Sequence, residues 1–311
     1  MSTTIGIDVG GTFIKGGRIS KDGTVLEELR VPSRAEEGPE LVIGQIIHVA
    51  KHLASTAQVA GIGIGMPGLV SVDRNTVKYP PNFTGWGIIP LATRVSHAAG
   101  LPVVVDNDAN CAAIGEAAFG AGTGISHFIL ATLGTGLGGG IIVDGKIFRG
   151  ETGAAGEIGH TTIDHNGPQC KCGSLGCVEA YVGNRYFCER VAHALESRPE
   201  SLLHALIANA PEGLTPELVA HAAGQGDAFA RQQLYDAGYA VGVALANTMA
   251  LFDIHTAILG GGVAQAGEVL FSGVRRAIAL YSQKPMAESF TLLPAALGNR
   301  AGMLGASQLI A

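Results

Sequence analysis

Apolar and polar positions along the chain fall into short blocks that predict alternating strands and helices. Ile5–Val9 is an apolar strand running into Gly10-Gly11-Thr12, and Phe13–Ile19 resumes as a second strand. Lys21-Asp22-Gly23 reads as a hairpin turn with Thr24–Val31 as its return strand. Leu41, Val42, Ile46, Val49 and Leu53 have helical spacing after a Pro-Glu start. Val59–Met66 is a buried strand closed by Pro67-Gly68, and Asp73-Arg74-Asn75 is a turn. Pro90–Ala99 reads as a helix with Gly100 past its end, Leu101–Val105 as a strand, and Ala109–Phe119 as the next helix.

The pattern then begins again. His127–Leu133 is an apolar strand entering a Gly-Thr-Gly turn, Gly139–Val143 continues it, and Asp144-Gly145-Lys146 is a hairpin turn. This repeats the order of residues 5–23. Thr256–Leu259 meets Gly260-Gly261-Gly262 much as Val59–Met66 meets Pro67-Gly68. Asp227–Asp253 has helical spacing, and Gly302–Ile310 reads as a closing helix. The expectation is an α/β protein of two similar halves facing one another, each with a phosphate-facing turn. No short fixed period is present, which excludes a solenoid.

Composition narrows the class. The chain has 311 residues, 47% hydrophobic and 15% charged, enough to bury a substantial core. Its net charge of −6, with no basic run, argues against nucleic acid as the main partner. Neither a signal peptide nor a membrane span is recognisable. Five cysteines, an odd number in a large chain, do not form a disulfide framework, so a reducing cytoplasm is expected.

Candidate chemistry lies in four places. Asp8-Val9-Gly10-Gly11-Thr12 reads either as a phosphate turn with Asp8 orienting magnesium or its waters, or as a tight turn with an incidental acid. Gly134-Thr135-Gly136 leads into a strand rather than a helix, which disfavours a dinucleotide fingerprint, and no Walker loop is present. A nucleotide held by two such hairpin turns fits better. Asp106-Asn107-Asp108 ends a strand: Asp108 is either a general base for a hydroxyl or a helix cap. His160, Cys170, Cys172 and Cys177 read either as a closed set for a structural zinc, with Gly173 and Gly176 letting the chain fold around it, or as three unliganded buried thiols beside a histidine.

Glu157 and Glu179, on either side of these ligands, read as polyol-binding groups or solvated loop acids. Asn82 and Trp86 sit in a Pro/Gly loop suited to a ligand rim. Cys111 and Cys188 read as small core residues, and His48, His52, His193 and His221 as surface or packing residues.

In order along the whole chain, IGIDVGGT, VDNDANCAAIGE, LGTGLGGGII, GEIGH and CKCGSLGCVE resemble the blocks of the ROK family (repressors, open reading frames and sugar kinases). The resemblance implies a two-lobed actin-like ATPase (ribonuclease H-like) fold with ATP and sugar in the interlobe cleft. One lobe would span 1–120, completed by a helix at about 300–311, and the other 121–299 with the zinc loop.

It also implies ATP-dependent phosphorylation of a hexose 6-hydroxyl with Asp108 as base. The sugar would contact Asn82, Asn107, Asp108, Glu157, His160 and Glu179. His160 would touch sugar through one ring nitrogen and zinc through the other. ATP and its magnesium would lie against Asp8, Gly10, Gly11, Thr12, Lys15, Gly134, Thr135 and Gly136, with adenosine near Gly260, Gly261 and Gly262. With that block starting at residue 8, a DNA-binding segment before it is not expected. Family members imply a homodimer or homotetramer. Glucose is the favoured substrate; N-acetylglucosamine, N-acetylmannosamine, fructose and allose are alternatives. A non-enzymatic sugar sensor is the alternative of another class.

Overall fold

The computed structural model describes residues 3–55 and 58–310. The chain divides into two compact units: Met1–His127 with Gly140–Gly156 and Ala295–Ala311, and Phe128–Gly139 with Glu157–Pro294. Strands β1 (Thr3–Val9), β2 (Phe13–Ile19) and β3 (Val25–Pro32) precede helix α1 (Pro39–Ala54). Next come β4 (Val59–Met66), the short strands β5 (Leu69–Val70), β6 (Val77–Lys78) and β7 (Ile88–Ile89), then α2 (Leu91–Ala99). Strand β8 (Val103–Asn107) leads directly into α3 (Asp108–Phe119). Then follow β9 (Phe128–Leu133), β10 (Leu137–Val143) and β11 (Lys146–Ile147). Helices α4 (Glu179–Val182), α5 (Asn184–Leu195), α6 (Leu203–Ala208), α7 (Pro216–Gly224) and α8 (Ala228–Phe252) come before β12 (Thr256–Gly260). The chain continues through α9 (Glu268–Tyr281), α10 (Lys284–Ser289), β13 (Thr291–Pro294) and α11 (Ala301–Ser307).

The repetition in the sequence is a repetition of sheets. One sheet has the order β3-β2-β1-β4-β8 and another the order β11-β10-β9-β12-β13. In the first, β1 pairs antiparallel with β2 and parallel with β4, and β4 is parallel to β8. In the second, β10 and β11 are antiparallel while β9, β12 and β13 run parallel. Strand β8 begins and ends two residues later than its apolar pattern suggests. Its pairing with β4 continues through Gly65–Asp106 and Met66–Asn107, carrying two polar residues into the sheet.

In the first unit, α1 buries Val42, Ile43, Ile46, Val49, Ala50 and Leu53 among Ile5, Ile7, Ile14, Ile62 and Ile64. Trp86 belongs to this core as well, 3% exposed and edge-on to Phe83 at 5.7 Å, so it is not at a ligand rim. Aromatic area of that size is worth more in a core than at a wet rim. The helix α11 meets β1, β4 and α3 backbone to backbone. A Cβ on Gly6 would lie 1.9 Å from the Met303 oxygen, one on Gly63 1.7 Å from the Ala306 oxygen, and one on Gly305 1.6 Å from the Cys111 oxygen.

In the second unit, α8 runs for 25 residues with Asp227 as its N-cap, accepting from the Ala230 amide. It packs on α9 through close backbone contact, since a Cβ on Gly238 would lie 2.0 Å from the Leu270 oxygen. None of the helices among the described residues is long and apolar enough to cross a membrane.

Gly63→Ala is expected to lower stability by about 1–3 kcal/mol through overpacking. Gly44→Ala, at an exposed α1 position where a Cβ meets nothing within 4 Å, should raise it by about 0.5–1 kcal/mol. Urea midpoints of the two variants check both signs.

Candidate active site

Three parallel strands of the first unit end in one row. Register places Asp8 beside Gly65 and Gly65 beside Asp106, the carboxyl ends where α/β sheets put their chemistry. The three polar residues at the junction of β8 and α3 then divide their work. Asp106, 2% exposed, accepts from Arg149 Nε at 2.8 Å and Nη2 at 2.7 Å. Its other oxygen accepts from the Asn107 amide at 2.9 Å and Asn110 Nδ2 at 3.0 Å. Asn107 is the N-cap of α3, its Oδ1 taking the amides of Ala109 and Asn110, while its Nδ2 donates to the Gly68 oxygen at 3.3 Å.

The capping alternative for Asp108 therefore falls to its neighbour. Asp108 stands at the first helical position, half-buried, with the Ala109 amide on Oδ1 at 2.9 Å. Burial raises its pKa above the ordinary carboxylate value, against the lowering effect of its hydrogen bonds.

Asp8 is raised to about 6, by burial first and then by the Asp108 charge; Lys15 pulls the other way. Lys15 is its register partner on β2, and Gly302 leaves room for its carboxylate, since a Cβ there would lie 2.9 Å from Oδ1. After Asp8 the chain turns through Gly10-Gly11-Thr12, closed by the Gly10 amide on the Phe13 oxygen at 3.0 Å. A Cβ on Gly11 would meet nothing within 4 Å, so packing does not require glycine there. Asn82 is exposed with φ 66°, a backbone conformation that Asn tolerates better than most residues.

In the second unit, Glu179 is the hub. Its Oε2 accepts the Leu137 amide at 3.0 Å, and its Oε1 lies 3.8 Å from Cys170 Sγ. A Cβ on Gly136 would sit 2.2 Å from the same Oε2, so the Gly-Thr-Gly turn and Glu179 fit only as they stand. Gly159, within the turn Ile158–His160 that follows Glu157, packs on the Leu137 oxygen just as tightly. Gly261, at φ 90°, abuts the Leu133 oxygen, which brings Gly260–Gly262 against the start of the same turn. Gly134, like Gly11, has nothing within 4 Å of a Cβ.

His160, Cys170, Cys172 and Cys177 place one donor atom each within 4.8 Å of all the others. Cys172 and Cys177 sulfurs are 3.7 Å apart, and Cys170 Sγ is 3.8 Å from His160 Nδ1. A tetrahedral zinc with bonds of about 2.0–2.3 Å spaces its ligands by roughly 3.3–3.8 Å, so these residues could hold one with no position left open. Gly176 makes the loop possible: at φ 67°, its Cβ would lie 1.7 Å from the Asp164 oxygen. Backbone and side-chain donors at Ser174 lower the Cys172 thiol to about 7, whereas burial raises Cys177.

The sequence assigns no role to two residues here, Arg149 and Glu116, the latter closing the VDNDANCAAIGE block. Arg149 lies between motifs and 43 positions from its partner Asp106. Glu116, fully buried, accepts the amides of Ala121, Ala296 and Leu297 at 2.7, 3.1 and 2.9 Å, holding the chain just before α11.

The repeated sheet order and strand-end acids define an α/β protein with a glycine turn in each repeat. The ROK family model matches residues 4–311, and the chain belongs to that family. It is 34% identical over 309 residues to the glucokinase of Thermotoga maritima, covering 98% of this chain and 96% of that one. With the glucokinase of Streptomyces coelicolor it shares 37% over 316 residues, covering 99% and 98%. The crystal structure of a ROK family glucokinase from Streptomyces griseus, in complex with glucose and AMPPNP, is 36% identical, with a TM-score of 0.87 and 99% of each chain covered.

The raised Asp8 pKa has a consequence for stability. Its folded value of about 6 exceeds the ordinary 3.8, so the native state holds this proton more tightly. The associated stability is full below about pH 4 and is lost as pH rises through about 6, amounting to up to about 3 kcal/mol. Asp8→Asn should therefore unfold at higher urea than the parent above pH 6, with the gap closing towards pH 4. A pH-independent gap would contradict the assignment.

Proposed function

We propose that the chain is an ATP-dependent hexose kinase that transfers the γ-phosphoryl group to the 6-hydroxyl of glucose. The observation that carries this reading is Asp108: at the end of β8 its neighbours are consumed by an ion pair and a helix cap, leaving it for proton transfer. Full-length similarity to glucokinases supports the substrate class.

Asp108 accepts the proton of the sugar hydroxyl as that oxygen attacks phosphorus, and burial of its carboxyl makes it a stronger base than a solvated one. Asn82, Asn107, Glu157, His160 and Glu179 are the groups proposed to hydrogen-bond the remaining hydroxyls and orient the reacting one. Because Asn107 Oδ1 is occupied by the cap, its Nδ2 is the atom it offers. The turns Gly10–Thr12 and Gly134–Gly136 take the phosphates, with Lys15 beside them. Gly11 and Gly134, glycines that packing does not demand, are suited to close approach by a ligand. Gly260–Gly262 takes the adenosine. Asp8 would orient the waters of magnesium bound with the nucleotide, an ion that would offset phosphoryl charge.

The His/Cys set would hold a structural zinc; with His160 Nδ1 facing the Cys170 sulfur, its Nε2 would remain for the sugar. Five cysteines without a disulfide support a cytoplasmic setting.

Asp108→Asn is expected to lower kcat at least about a hundredfold while sugar binding survives, since the amide keeps a hydrogen bond but takes no proton. A coupled assay over hexoses and acetamido sugars, run on both forms, checks it. Fastest turnover with an acetamido sugar would move the substrate assignment, and no turnover with any sugar would favour a sensor. Cys172→Ser should lose zinc by elemental analysis and raise the sugar KM more than the ATP KM. A metal-free preparation with full activity would refute the zinc role.

A further inference from the structure

Asp106 is a buried carboxylate that proton transfer does not use, and Arg149 lies outside every motif of the sequence. We propose that Arg149 is a positioning residue for phosphoryl transfer: acting through Asp106, it fixes the first turn of α3 and with it the direction of the Asp108 carboxylate. The inference rests on the kinase reading of Asp108.

Four donors converge on Asp106. Arg149 supplies two to Oδ2, at 2.8 and 2.7 Å, while the Asn107 amide and Asn110 Nδ2 reach Oδ1 at 2.9 and 3.0 Å. The second pair comes from the residues on either side of Asp108 along the turn. A carboxylate gripped on one oxygen by a planar guanidinium has its orientation set, and so holds the donors on its other oxygen in one place. Asn110 depends on this grip: it is 1% exposed, and its own Oδ1 has no hydrogen-bond partner among the described residues. The Asn107 cap then passes the constraint to the Ala109 amide, which also bonds Asp108 Oδ1.

Stability alone does not account for the pair. An ion pair whose acid is 3% exposed and whose base is 30% exposed bears a desolvation cost that an apolar pair of similar volume avoids. Orientation is what apolar side chains cannot supply. Two of the three guanidinium nitrogens of Arg149, Nε and Nη2, are committed to Asp106.

A double-mutant cycle on the full chain tests the proposal, with Arg149→Met, Asp106→Asn, both together, and Arg149→Lys. Arg149→Met should lower kcat about 10- to 100-fold, the usual effect of small misplacements at a reacting centre. KM for sugar and for ATP should each change less than about threefold, because the loss falls on the transition state. Arg149→Lys should recover part of kcat. In the Asp106→Asn background, adding Arg149→Met should cost no more than about twofold further, since one residue acts through the other.

Arg149→Met strands a buried charge, so the doubly neutral Asp106→Asn/Arg149→Met variant is compared with Asp106→Asn whether or not the single variant folds. An Arg149→Met kcat within about twofold of the parent, a loss confined to KM, or an additive cycle would each overturn the proposal. Amide hydrogen exchange at residues 107–110 reads the clamp without turnover and should quicken in Arg149→Met or, should that fail to fold, in the double variant. If the parent chain phosphorylates no hexose, the kinase reading fails by itself; unchanged exchange at 107–110 overturns the clamp.

Discussion

Backbone-to-backbone contact between α11 and the elements β1, β4 and α3 is the constraint on which the first unit depends. Gly6, Gly63 and Gly305 each stand where a single methyl would enter a carbonyl oxygen, and Gly115 is nearly as tight, 2.4 Å from the Ala301 oxygen. Such contact fixes the helix to a fraction of an ångström, because nothing between the backbones can yield. The site inherits that precision. Gly302, at the start of α11, stands against the Asp8 carboxylate, and Gly305 stands against Cys111 in the second turn of α3. Glu116 at the far end of α3 ties down the residues that feed α11. The carboxylates at the strand ends are thus held by chain segments that are nearly 300 residues apart in sequence.

The second unit solves a similar problem with one side chain. Glu179 bonds the Leu137 amide, fills the space above Gly136 and approaches Cys170. A loop rich in glycine has little packing of its own and needs an outside anchor. The His/Cys loop, itself drawn tight by the Cys170 amide on the Ser174 oxygen and the Gly176 amide on the Pro168 oxygen, is that anchor. The geometry makes the proposed zinc a matter of shape, because a change in the loop would displace Glu179 and the glycine turn together.

Local signals were legible in the sequence and distant ones were not. Strand–turn–strand blocks at 5–19 and 127–143 follow from alternation and glycine alone, and the sheets they build match in order. The His/Cys set was visible because its members are close in sequence and chemically distinctive. Asp106, Asn107 and Asp108 could be recognised as a group but not separated. Asn and Asp cap helices equally well, and only the contacts with Arg149 and the α3 amides decide which residue does what. Arg149 itself has no periodicity and no motif. Trp86 misled because a Pro/Gly loop resembles a surface loop, yet its aromatic ring turns into the core. The stretches around His193 and His221 read as helical without clear bounds, and 268–289 carries no motif, although α9 buries Leu270, Phe271, Val274, Ala277 and Ile278 at regular helical spacing.

The central claim is a specific bond: phosphorus from ATP to the 6-oxygen of glucose. Phosphorus-31 NMR of the full chain with ATP, magnesium and glucose tests it directly. The account predicts one ADP for each new phosphate monoester, with the ester signal coupled to the two protons on carbon 6. An ester on any other carbon, or ATP unchanged after prolonged incubation with glucose, would contradict it.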